Sequence, residues 1–509
     1  MGQSQTDRDL MRFLSKVAEE LKGGQYEKAR RRCVSVLKGN PRSAQAWVFL
    51  GESLERLGIA GGAWKAYNRG WILDPQATWV EPMQKRLIGR WNEPVPDWLI
   101  SLLAVPKVTV AAALIAKNEA RKIDETLIRL QTAVDEIVLV DTGSTDETIE
   151  IAKKQGANVY SFPWQDNFSA ARNFGLEKVT SDWVLWVDAD ELLDLEDVEV
   201  PRIAAGLFDA MDPLAALRIV QVNHTGTTVE PNYDMVRLFP MRKGLCWYGT
   251  IHEQVGFSEE EPKIRAIQKP VIRIRVHHDG YDPTIMEDKQ KLQRNIILLR
   301  KTVETDPQAI ASWGFLGREL LFSKQYEQAL QAFKKVEELA PYSPYYARLS
   351  EVRLFTAQAL EALEQHQEAI NIEEKAVQEE PNYPGTWFHL GNLKLKSGLK
   401  MIQEAREAFI QSLETSKAYR GMVTFDSQIG SWKASTGIAD TYKFSGNLVE
   451  AHRWYQMALL KSGGQEAIQT QLRSIEQQAS LLQSLQEEGL DVANKIPENL
   501  SGVLQDTQE

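Results

Sequence analysis

Between Val108 and Val187 the apolar positions fall into four short runs, separated by stretches in which they recur about every 3.6 residues. The runs are Val108 to Ile115, Ile137 to Val140, Ala157 to Ser161 and Asp182 to Val187. Val108 to Ile115 is small and β-branched with no interrupting charge, as a parallel strand buried on both faces must be. The intervening stretches predict helices beginning at Glu119, near Asp146, where Ser144 or Thr145 can cap, and along FSAARNFGLE. Strand and helix in alternation make a mononucleotide-binding half-sheet, and such sheets bind ligands beyond the carboxyl ends of their strands.

The residues gathered at that rim are Ala116, Asn118 and Glu119 after the first strand, and Asp141 and Thr142 after the second. The third helix adds Arg172 and Asn173, and the fourth strand ends in Asp188 and Asp190. Gly143 permits a tight turn there, and the backbone amides of DTGSTDET suit an anion. If Asp188-Ala189-Asp190 is extended, the two carboxylates share a face and converge on one hard cation and the diphosphate oxygens it bridges. Each residue also has a plainer use. The triplet can cap a helix starting near Leu192, Glu119 suits a helix first turn, Asp141 a strand-end turn, and Arg172 a solvated helix face. Trp183 and Trp186 are expected in the core.

Beyond the triplet the pattern becomes antiparallel and less regular, with strands expected over Leu214 to Val222, Met235 to Phe239, Cys246 to Val255 and Val271 to His277. Four of the seven histidines, His224, His252, His277 and His278, fall in this stretch. That concentration favours chemistry over surface filler.

The motifs LIAKNEA, VLVDTGSTDET, FSAARNFGLE and VLWVDADE, in this order, resemble the nucleotide-sugar-binding half of family 2 glycosyltransferases, which have the GT-A fold. The resemblance covers roughly Val108 to Tyr281. The commoner family pattern has two aspartates after the second strand. Here Asp141 is followed by Thr142, as in members resembling sublancin-type peptide glycosyltransferases and lipopolysaccharide glucosyltransferases. The resemblance implies a hexosyltransferase with a nucleoside diphosphate sugar donor, UDP being the expected diphosphate, and Asp141 as partner of a uracil N–H. It assigns the donor site to Ala116, Asn118, Glu119, Asp141, Thr142, Arg172, Asn173 and Asp188. It also implies that a histidine near the end of the core completes a metal shell begun by the Asp-x-Asp. The H-x-G-Y arrangement selects His278 over His277, giving Asp188, Asp190 and His278 as metal ligands. Manganese or magnesium suits so oxygen-rich a shell. Inverting transfer needs a base for the acceptor's proton, and Glu253 in GTIHEQV is the candidate, with Asp234 and Asp279 as alternatives. Otherwise His252 and Glu253 form a structural hydrogen bond.

A second pattern lies outside this core. Trp47, Leu50, Gly51, Ala63, Tyr67 and Pro75 stand at tetratricopeptide-repeat offsets, with a weaker copy upstream at Ala29, Cys33 and Pro41. Trp313, Leu316, Gly317, Ala329, Phe333 and Pro341 repeat the offsets after the core. Further copies are marked by Ala369, Ala376 and Pro381, by Trp387, Leu390, Gly391, Ala405 and Phe409, and by Ala439, Tyr442, Ala451, Tyr455 and Ala458. Stacked units expose a concave face that can bind a polypeptide acceptor or a protein partner, or they brace the enzyme. The expected organisation is therefore an α/β GT-A core flanked by all-α arrays: repeats over 1–100, the glycosyltransferase domain over 105–285, repeats over 286–465, and a capping helix with a polar disordered tail over 466–509.

Composition narrows this little. A formal charge of −11 argues against nucleic acid as the main partner, two cysteines exclude a disulfide framework, and no apolar run approaches a membrane span. A cytoplasmic enzyme with a peptide, protein or glycan acceptor is expected. The alternative is a repeat scaffold whose core binds nucleotide without catalysis. A phosphatase or nucleotidyltransferase is weaker, and the absence of a P-loop or G-x-G-x-x-G run removes other nucleotide folds.

Overall fold

A computed structural model describes residues 5–225, 228–257, 267–278, 287–398 and 402–487. The chain forms two compact units, one of Met1–Glu319 with Leu339–Tyr346 and Met422–Thr424, the other of Leu320–Glu338, Ala347–Gly421 and Phe425–Glu509.

Among the described residues of the first unit ten strands are formed: β1 (Val110–Ala116), β2 (Glu136–Asp141), β3 (Asn158–Ser161), β4 (Trp183–Trp186), β5 (Glu191–Leu193), β6 (Leu217–Thr225), β7 (Thr228–Pro240), β8 (Leu245–Tyr248), β9 (Gln254–Phe257) and β10 (Val271–His278). Eight make one mixed sheet in the order β3-β2-β1-β4-β7-β6-β10-β5, and β8 pairs with β9 apart from it. Strands β3, β2, β1 and β4 run parallel, so their carboxyl ends share one edge, as the four apolar runs predict. Alternation along β4 divides the core in two: Trp183 and Leu185 enter the cluster on one face, while Val184 and Trp186 enter the cluster on the other. Both tryptophans are fully buried, as expected.

Several boundaries differ from expectation. The helices begin at Ile123 and Thr148 rather than at Glu119 and near Asp146. A single 3-10 turn occupies Leu195–Asp197, but no α-helix starts near Leu192. That stretch is β5, which pairs antiparallel with β10 and sets Glu191 opposite His278. Cys246 to Val255 is two strands, because Gly249 takes φ +93° and His252 φ +53°, which turn the chain into a hairpin. Strand β10 runs parallel to β6, an exception to the antiparallel pattern. The polar tail, together with Asp279, Gly280 and Tyr281, lies outside the described residues.

Among the described residues six helices, Gln5–Lys22, Tyr26–Gly39, Ala44–Arg56, Ala60–Leu73, Val80–Leu87 and Asp97–Leu103, precede the sheet in the same unit. Gly51 packs so tightly that an added Cβ would sit 2.7 Å from the Tyr67 ring. Only glycine lets the two helices approach around that aromatic. The indole of Trp47 donates to the Pro41 carbonyl at 2.8 Å. The same contact recurs six residues apart at Trp313 to Pro307 and Trp387 to Pro381, so a shared geometry underlies the shared spacing. These first repeats are stitched to the sheet. Trp71 lies under the Arg273 guanidinium at 3.9 Å, and Asn68 accepts from the same side chain. Fully buried Asp197 binds both Arg273 and Arg275.

Among its described residues the regular structure of the second unit is all helical, and it carries its own apolar clusters. Phe409 fills the gap beside Gly391, where an added Cβ would meet its ring at 3.1 Å, the counterpart of Gly51 and Tyr67. Buried His389 lies between two carboxylates, with Nδ1 at 2.6 Å from Glu373 and Nε2 at 3.1 Å from Glu361. The helix Glu466–Glu487 ends the described chain. Among the described residues no helix is long and apolar enough to cross a membrane.

Candidate active site

The loops after β1 and β2 are tied to each other. Thr142 donates to the Ala116 carbonyl through both its amide and its hydroxyl. Asn118 adopts φ +59°, a conformation asparagine tolerates better than most residues. Its amide donates to Ser144 Oγ at 2.9 Å, and its Oδ1 accepts from the Thr145 amide at 2.7 Å. The Glu119 amide donates to Thr148 Oγ1. Buried Asp141 accepts from the amides of Gly143 and Ser144 at 3.0 and 3.1 Å. Amides that the sequence offered to an external anion are thus used to shape the turn. A carboxylate has about four lone-pair sites, so Asp141 retains capacity for a further donor.

The centre of the rim is a buried network of alternating charge. Arg172, on the helix Phe168–Leu176, donates to Asp188 through Nη2 and to Glu253 through Nε, both at 3.1 Å. Its guanidinium lies 5.0 Å from the Trp186 ring and 4.8 Å from Trp247, and Nη1 has no partner among the described residues. Arg172 is therefore no solvated helix face. Arg237, near the carboxyl end of β7, grips Asp188 with two nitrogens at 3.0 and 2.6 Å. Glu191, wholly buried, accepts from the Asp188 amide at 2.8 Å and from Gln221 at 2.6 Å. Burial favours the neutral form of Asp188, although 38% of its side chain stays open, and the Arg237 and Arg172 charges overcome that and hold its pKa well below the usual carboxylate range. Glu191 goes the other way, raised by burial and by the Asp188 charge beside it.

Arg237 and Glu191 were not among the expected residues. Arg237 reads as an outward polar position in MVRLFP, yet β7 is paired on both sides and the side chain is 3% exposed. Asn173, expected at the donor, has both halves of its amide engaged by the Trp247 backbone, at 2.8 Å each. It fixes β8 to the Arg172 helix.

Residues 187–190 form a loop and turn, so the two triplet carboxylates take different partners. Asp188 goes to the arginines. Asp190 Oδ2 lies 3.3 Å from His278 Nε2. The next residue along β10 takes the opposite side, with His277 bonded to Asp194 and His224, an alternation expected of a strand. Two ligands of one cation at about 2.1 Å, roughly at right angles, stand about 3 Å apart. The Asp190–His278 pair therefore fits a divalent ion. Among the described residues no three ligating side chains converge, so an ion held there draws its remaining ligands from donor oxygens and water, as Mg²⁺ sites commonly do.

Glu253 follows the bend of the β8–β9 hairpin. Its neighbour His252 does not bond to it. His252 stacks on Phe315 at 4.4 Å and meets Glu319 and Arg318 at 3.1 Å each. Burial lowers the His252 pKa.

Comparison with known proteins identifies the domain that carries these residues. A family model described as Glycosyl transferase family 2 matches residues 112–256, and Tetratricopeptide repeat models match residues 16–78 and 310–343. The SPbeta prophage-derived glycosyltransferase SunS of Bacillus subtilis is 29% identical over 45% of this chain and 53% of its own. A TPR repeat-containing protein of Synechococcus elongatus is 32% identical over 40% of this chain and 49% of its own. The chain thus spans about half the length of these curated relatives. Among solved structures, MamA aligns with 35% of this chain and 92% of its own at 18% identity and a TM-score of 0.29. Residues 112–256 are a family 2 glycosyl transferase domain, set in a chain that carries tetratricopeptide repeats both before and after it.

Proposed function

We propose that the chain is an inverting, metal-dependent glycosyltransferase that moves a sugar from a nucleoside diphosphate, UDP, to a peptide or glycan acceptor. The observation that carries this reading is the shared guanidinium of Arg172, which fixes a carboxylate at the end of β4 and a carboxylate on the β8–β9 hairpin within one network. Asp141 receives the uracil N–H at its remaining lone pairs, and Asn118, Glu119 and Thr142 line the nucleotide. Arg172 Nη1 offers a free donor to a diphosphate oxygen. Glu253 takes the proton of the attacking acceptor group, and Asp188 and Arg237 hold Arg172 in place. A divalent ion at Asp190 and His278 would neutralise charge on the departing diphosphate. The C-terminal repeats present a face for a protein partner.

Thermal-shift screening of nucleotide sugars, with and without manganese, tests the donor assignment. A ligand specific to the native state adds about 2.7 kcal/mol of apparent stability at a hundred times its dissociation constant. Manganese-dependent stabilisation by a UDP-sugar is expected, and no shift with any nucleotide sugar would remove the proposal. Release of free sugar from the stabilising donor separates an enzyme from a nucleotide-binding scaffold.

A further inference from the structure

The first unit carries a cavity of about 970 Å³, open to solvent, that none of the donor or metal candidates lines. Its walls come from residues 165–167 ahead of the Arg172 helix, from the hairpin bend at 248–252 with Gln254, and from residues between 301 and 315 and at 342–346. Glu253 is the one residue of the bend that does not face it. Its side chain turns to Arg172, while both neighbours, His252 and Gln254, line the cavity. The cavity and the candidate base therefore stand on opposite sides of a single residue.

The lining has a definite chemical character. Tyr342 and Tyr345 keep 85% and 49% of their surface exposed, large rings that water does not favour. Phe315 is stacked under His252, a non-glycine residue held at φ +53°, and such strain persists where the surroundings enforce it. The lining also holds Ser312, Gly249 and Asn167, and tyrosine interspersed with serine, glycine and asparagine is the composition of the loops with which antibodies grip protein surfaces. Tyrosine supplies contact area while freezing only two torsions, and the short polar side chains and amides meet the hydrogen-bonding groups of a main chain. The volume lies near the top of the range for a ligand pocket, room for several residues.

We propose that this cavity binds the polypeptide acceptor. Residues flanking the modified side chain dock against Phe315, Tyr342 and Tyr345, and the modified residue passes the bend to Glu253. The proposal rests on the glycosyl-transfer reading of Glu253.

The test uses the full chain, labelled and applied to an array of short synthetic peptides and to a glycan array, beside Tyr342→Ala/Tyr345→Ala and Thr305→Trp. The first variant removes the exposed rings; the second places an indole in the cavity from an exposed position. Expected is retention on a subset of peptides, weakened roughly 30-fold in each variant, as for loss of a hot-spot side chain. Unchanged thermal transitions and an unchanged response to manganese and nucleotide sugars should accompany that loss. If removal of the rings unfolds the chain, the added indole alone carries the comparison. No peptide above background, or the same peptides bound equally by the folded variants, overturns the proposal. Glycan binding that the variants abolish overturns it too, and assigns the cavity to a carbohydrate. A wild-type chain that binds peptides in this way but responds to no nucleotide sugar would leave the cavity standing and remove only the transfer reading.

Discussion

Glu253 and Asp188 accept hydrogen bonds from one side chain, the Arg172 guanidinium, at 3.1 Å each. The carboxylate on the acceptor side and the carboxylate at the end of β4 therefore cannot move independently. Arg172→Lys keeps the charge but loses the planar fork that reaches both. Turnover should fall by about two decades, as for a misplaced reacting group, with a smaller change in donor affinity. Steady-state kinetics decides it: a variant with normal kcat would show that the shared grip plays no part in the reaction.

Glu253→Gln should abolish transfer while nucleotide binding persists. Removing general-base assistance typically costs about two to four decades in rate. Near-normal transfer by the amide would place the base elsewhere, with Asp234 the next candidate.

Asp190→Asn removes the carboxylate that faces His278. Manganese should then no longer enhance donor binding in calorimetry, and the fold should persist because the side chain is 41% exposed. Full manganese-dependent binding by this variant would move the cation away from Asp190.

Asp197→Ala tests the stitching of the first repeats to the sheet. Its carboxylate is the buried counter-charge of Arg273, and removing one member of a buried pair costs about 3–5 kcal/mol. Calorimetry should show a lower transition for the first unit, and an unshifted one would mean that Trp71 and Asn68 hold Arg273 unaided.

The second unit should lose stability in mild alkali. Burial lowers the His389 pKa, but bonds to Glu361 and Glu373 outweigh it and raise it to about 9. Two acceptors on one ring require both nitrogens to donate, which only the imidazolium can do. A folded pKa above the unfolded value near 6.5 means that the stabilisation is complete below about pH 6.5 and disappears as pH rises through about 9. Lys396 also pairs with Glu361 and keeps that carboxylate ionised throughout. Amide protection near His389, taken relative to the intrinsic exchange rate at each pH, should fall between those values, and His389→Gln should flatten the dependence. A flat profile in the wild type would mean that the ring is already neutral.

The parallel half of the sheet was readable because β1, β2 and β4 are buried on both faces, which leaves an apolar run that only one kind of element produces. Repeats were readable because Gly51 and Gly391 mark positions where no larger residue fits. The charged network was legible only in part. Asp188 stands just past a strand end and Arg172 on the helix Phe168–Leu176 beside it, but Arg237 and Glu191 derive their roles from β7 and β5 being paired in the interior of the sheet and against β10. Local spacing does not encode such long-range partners. The hairpin turn at Gly249 was concealed by the apolar residues around it, although a glycine between two short β-rich runs was the available signal.

The adjacency of Arg172 and Asn173 has a consequence for tolerance to movement. One residue holds Glu253 by its side chain, and the next holds the β8 backbone at Trp247, the strand that leads into the bend bearing Glu253. A shift of this helix therefore carries the hairpin with it. Displacement becomes common to the parts that must stay in register, and their separation is preserved. Such a coupling lets the scaffold breathe or drift in sequence at remote positions without detuning the site. Substitution of Asn173, a residue with no reacting partner, should uncouple the two and make the chemistry sensitive to motions that the wild type absorbs.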